Sequence, residues 1–69
     1  MKVVSSYDLN TNEPIPRMEG RTFRSYGDAF KALRRGQGIT LEVPGKGYKV
    51  LEVEANGTPT IQRNFAHDY

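Results

Sequence analysis

The chain has 69 residues, a net charge of +2 and no cysteine. That bounds it to one small domain and excludes disulfides and thiolate metal sites. No apolar run exceeds two residues, far below the ~20 needed to cross a bilayer, and the N-terminus turns polar too soon for a secretory signal, so a cytoplasmic protein is expected.

The first segment, residues 3–9, carries Val3, Val4, Tyr7 and Leu9. Its alternation is imperfect, but its composition predicts a strand. Residues 9–20, LNTNEPIPRMEG, hold two prolines, two asparagines and a glycine and read as an irregular loop.

A helix is predicted over 25–35. Ser25 followed by Asp28 forms a capping-box-like start, with the acid complementing the positive end of the helix dipole. Tyr26, Ala29, Phe30 and Leu33 fall on one face at helical spacing. Lys31, Arg34 and Arg35 then occupy the last turns, and Gly36 suits the left-handed position that ends a helix. The two arginines thus have a structural reason that requires no ligand.

Three strands are expected next. In GITLEV, Ile39, Leu41 and Val43 alternate with Thr40 and Glu42. A four-residue turn at residues 44–47, PGKG, would set Val43 opposite Tyr48, Leu41 opposite Val50 and Glu42 opposite Lys49. The following strand, YKVLEVEA, changes phase: Tyr48 and Val50 belong to one face, Leu51, Val53 and Ala55 to the other. Either a β-bulge lies near Val50 and Leu51 or both faces are partly covered. For the last hairpin, a two-residue Asn56–Gly57 turn would pair Leu51 with Gln62. A three-residue loop, Ala55 to Gly57 with Gly57 left-handed, pairs Leu51 with Ile61 and Val53 with Pro59 and keeps the apolar pattern. Pro59 lacks a ladder donor, which suits an edge strand. The result is a single α+β domain over 1–69, ordered β-α-β-β-β: one short helix on an antiparallel sheet, a meander over 39–65, and an N-terminal strand free to join either edge.

Catalytic chemistry finds little support. His67, the one histidine, precedes Asp68 but has no recognisable nucleophile to serve. One histidine and scattered carboxylates match no zinc or calcium pattern, so neither metal nor cofactor is expected. PGKG lacks the spacing of a phosphate loop, and Asn56-Gly57-Thr58 is better explained by a hairpin loop than by glycosylation.

Charge is the remaining signal. Arg17, Arg21, Arg24, Lys31, Arg34 and Arg35 face only Glu19 and Asp28, a local net charge of +4, whereas residues 39–69 carry −1. The leading expectation is a non-catalytic binding protein that contacts DNA or RNA phosphates through Arg21, Arg24, Lys31, Arg34 and Arg35. The simpler reading is a solvated face that keeps a small protein soluble. Tyr7, Phe23 and Tyr48 are aromatics that would serve stacking if they lay beside the cations, although core positions explain Phe23 and Tyr48 equally well. The alternative is a protein–protein effector, such as a phage-type inhibitor of a host enzyme or complex, or a homodimeric module. Its interface would be Leu51 and Val53, exposed on the sheet face away from the helix.

Overall fold

The structure, a computed structural model, describes residues 1–62. Positions 63–65 of the expected meander, together with His67 and Asp68, lie outside the described residues. The elements are β1 (Lys2–Asp8), α1 (Tyr26–Ala32), β2 (Gln37–Val43), β3 (Gly47–Val53) and β4 (Pro59–Gln62), with a single 3-10 turn at Pro16–Met18. They form an α+β domain in which one short helix packs on a four-stranded antiparallel sheet of order β1-β2-β3-β4. No helix among the described residues is long and apolar enough to cross a membrane.

β1 takes the edge beside β2. Its uneven alternation has a local cause, because the β1–β2 register shifts between Val3 and Ser5. Val4 bulges out and is exposed, so Val3 and Ser6 both face the core although they are three residues apart. Ser6 is the one buried polar residue among those described, and its Oγ donates to the Ile15 carbonyl at 2.6 Å. Burial therefore leaves this hydroxyl without an unmet donor.

The loop after β1 is irregular but far from loose. The Asp8 carboxylate accepts from the amides of Asn10 and Thr11, which closes the turn. Returning, residues 13–23 run back along the outer edge of β1. The Ile15 amide donates to the Ser6 carbonyl, the Gly20 amide to Val3, and the Phe23 amide to Met1, while the Val3 amide donates to the Arg21 carbonyl. Met18, in the 3-10 turn, is buried against this layer.

Helix α1 starts where the sequence requires, with the Ser25 Oγ accepting from the Asp28 amide at 3.2 Å. It ends earlier than expected. Leu33 is an extended C-cap with ψ 142°, so the helix covers 26–32 rather than 25–35, and Arg34 and Arg35 lie beyond it. Gly36 does adopt a left-handed conformation, φ 79°, but within a separate turn whose Gln37 amide donates to the Arg34 carbonyl. A glycine at that third position is what a type II turn demands, and that turn aims the chain into β2.

The β2–β3 hairpin differs from expectation by one residue. Its partners are Val43 with Gly47, Glu42 with Tyr48, Leu41 with Lys49 and Ile39 with Leu51. The proposed Glu42–Lys49 pair is therefore absent, and Glu42 lies between Lys2 and Tyr48 instead. The reason is the loop: with Gly45 and Gly47 both left-handed, at φ 75° and 83°, Pro44 to Lys46 make a three-residue connection and Gly47 joins the strand. β3 pairs continuously from Gly47 to Val53, so its phase change marks two partly covered faces rather than a bulge. Val50 is 7% exposed on the outer face, apart from the core cluster.

The β3–β4 hairpin follows the expected three-residue loop, pairing Leu51 with Ile61 and Val53 with Pro59, with Gly57 at φ 92°. Leu51 is the centre of the core. It is 0% exposed and clusters with Ile39, Leu41, Val3, Met18, Ala29, Leu33 and Val53. The expected exposed strip of Leu51 and Val53 is thus overturned, because these residues lie on the face that α1 covers.

On the other face Tyr7 crosses the sheet. Its hydroxyl donates to Glu52 Oε2 at 3.2 Å, and its ring passes over Gly38, where a Cβ would lie 2.8 Å from Cε2. Tyr7 and Glu52 sit opposite Gly38 on either side, so only a residue without a side chain allows this bridge from β1 to β3. Burial, followed by the charge of the Glu52 carboxylate and its hydrogen bond, pushes the Tyr7 phenol up from 10.0 to about 12.

Two predictions follow from these contacts. Leu51→Ala costs about 2–5 kcal/mol, comparable with the whole stability of so small a domain. Ile61→Ala, its cross-strand partner at 47% exposure, costs about 1 kcal/mol or less; urea unfolding of the two variants checks the order. Because the folded state holds the Tyr7 proton more tightly than the unfolded state, its contribution is complete below pH 10.0 and disappears as pH rises to about 12. The stability difference between the parent and Tyr7→Phe should shrink across that window, and a difference that stays level would break the assignment.

Candidate functional site

The five expected cations do not form one surface patch built on a helix. The structure distributes them along the ribbon, the approach to α1, the turn after it and one cleft, and of the five only Lys31 and Arg35 line that cleft. Arg21 belongs to the ribbon beside β1. Its guanidinium sits 5.2 Å from the centroid of the Phe23 ring, and its Nη1 is 3.6 Å from the Met18 sulfur. This cation–π contact shields a half-buried aromatic at the core margin, so part of Arg21 serves the fold. Arg24 is exposed immediately before the Ser25 cap.

Arg34 is tied down through its backbone. Its amide donates to the Gln37 side-chain oxygen at 2.9 Å, and its carbonyl accepts from the Gln37 amide. The side chain remains exposed. Arg35 follows it in the same turn but is directed elsewhere. It lies against the β3–β4 loop, where a Cβ on Gly57 would come within 3.2 Å of its Nε. Gly57 is needed for its left-handed backbone, and a side chain there would also crowd the guanidinium.

This contact closes one side of an open cleft of about 350 Å³. Helix α1 supplies Phe30 and Lys31, and the turn after it supplies Leu33 and Arg35. Opposite them stand Val53 at the end of β3, then Gly57 and Pro59 around the hairpin loop. The interior is apolar and the two charged groups are both cations. Among the described residues its lining contains no carboxylate, imidazole or hydroxyl. Such a site suits an anionic group joined to an apolar or flat one, since the charge pairs at the rim and the apolar part leaves water below.

On a helix running to residue 35, Lys31 and Arg35 would be neighbours one turn apart. They line one cleft instead because α1 ends at Ala32, Leu33 is extended, and Arg35 sits in the turn that Gly36 completes before β2. Phe30 and Pro59 were missed as site residues: Phe30 carries the helical core period, and Pro59 carries the signal of an edge strand. The available clue was the three-residue loop at Ala55–Gly57, which brings a side-chain-free position opposite the end of the helix. Tyr7 and Tyr48 belong to the opposite sheet face and contribute nothing here. Among the described residues no three His, Asp or Glu side chains gather in a metal-binding group. No protein-family model, curated protein or solved structure matches the chain.

Proposed function

We propose that the chain is a small non-catalytic binding protein that engages nucleic acid mainly through its phosphates. The observation that carries this reading is the convergence of Lys31 and Arg35 on one cleft, within a segment whose other cations, Arg17, Arg21, Arg24 and Arg34, are all exposed. Guanidinium groups pair with phosphate oxygens in a two-pronged geometry, which suits Arg35 in the lining of the cleft. The protein-effector alternative took Leu51 and Val53 as its interface, and both residues are buried in the core.

Phosphate contacts release condensed counterions, so affinity for a single strand falls with salt by about 0.7 log units per contact per decade. Anisotropy titrations of labelled oligonucleotides should therefore show steep salt dependence. The double variant Lys31→Ala/Arg35→Ala should flatten that slope by about 1.4 while urea unfolding changes little. Failure to bind any oligonucleotide at low salt would overturn the reading and direct attention to a protein partner.

A further inference from the structure

We infer that the cleft selects unpaired nucleotides, seating one base between Phe30 and Pro59 while Lys31 and Arg35 hold the phosphates on either side of it. This rests on the phosphate-binding reading above and adds to it a single-strand preference that phosphate contacts alone do not produce.

Three properties of the cleft argue for it. Its volume, about 350 Å³, is at the lower end of small-molecule pockets and suits one flat ring system rather than an extended cofactor. Its lining places an aromatic residue and a proline beside the buried Leu33 and Val53, apolar surroundings that would accept any base by its π-face without reading its hydrogen-bonding edge. The cations stand at the rim rather than on the floor of this otherwise apolar site. A nucleotide has the complementary layout, with an apolar ring projecting from a charged backbone.

A duplex cannot use this site in the same way, because its bases are stacked inward and only phosphates reach a protein that does not open it. Binding to a paired target would engage Lys31 and Arg35 and leave the apolar walls empty. The cleft also lies open to solvent at the domain surface, so a continuous strand can pass across it without threading. Discrimination is therefore expected between strands with and without free bases, and little is expected among base types.

The test compares three end-labelled probes of equal length at one salt concentration: a thymidine homopolymer strand, an abasic sugar–phosphate strand, and a duplex. The base-bearing strand should bind roughly 5- to 150-fold more tightly than the abasic strand, the range that stacking of a base on an aromatic supports. Phe30→Leu, which keeps apolar volume but removes the ring, should reduce that ratio toward one. Pro59→Ser, at an exposed position, reduces it without touching the helix and serves if Phe30→Leu does not fold. Equal affinity for base-bearing and abasic strands, both weakened by Lys31→Ala/Arg35→Ala, would overturn the base seat and leave the phosphate reading standing. A ratio that both wall variants leave unchanged, or a duplex that binds as tightly as the homopolymer, would also overturn it. No binding to any probe would remove both proposals together.

Discussion

Two left-handed glycines govern the arrangement of the sheet. With Gly45 and Gly47 at positive φ, the β2–β3 connection takes three residues rather than four, and the register moves by one. In a sheet a one-residue slip exchanges the two faces of a strand. The observed register brings Ile39 opposite Leu51 on the helix side, sets Glu52 across Gly38 within reach of the Tyr7 hydroxyl on the other, and leaves Val53 at the edge of the basic cleft. Core, cross-sheet bridge and cleft all follow from the same turn.

The sequence revealed those features whose signals are local and uncontested. Ser25 and Asp28 marked the start of the helix because the capping geometry involves only neighbouring residues. The β3–β4 loop was legible because one loop length matched apolar to apolar and the other did not. Features with two valid solutions were misread. Gly36 fits a helix end and a turn equally well, and it serves the turn. PGKG fits loops of two lengths, and both glycines had to be left-handed to decide between them. The break in the alternation of β1 was visible, but it took the backbone to show that Val4 absorbs it.

The candidate site was half legible for a related reason. Net charge is additive along a sequence, so the positive character of residues 17–35 needed no structure. Convergence depends on where side chains point, and the two cases differ in range: Arg21 stacks on Phe23 two positions on, whereas Arg35 lies beside a glycine twenty-two positions later. The same segment thus splits its cations between supporting the fold and lining the cleft.

The ribbon of residues 13–23 has one more effect. By satisfying the outward groups of β1 at Met1, Val3, Ser6 and Asp8, it removes one margin of the sheet from circulation. Among the described residues β4 alone retains an unshared margin, and Pro59 shortens even that. A sheet with two free margins can extend without limit, one molecule after another. A sheet with one cannot: if two chains meet strand to strand, the meeting uses the one margin that the described residues leave, and assembly by backbone pairing through them ends as a closed pair.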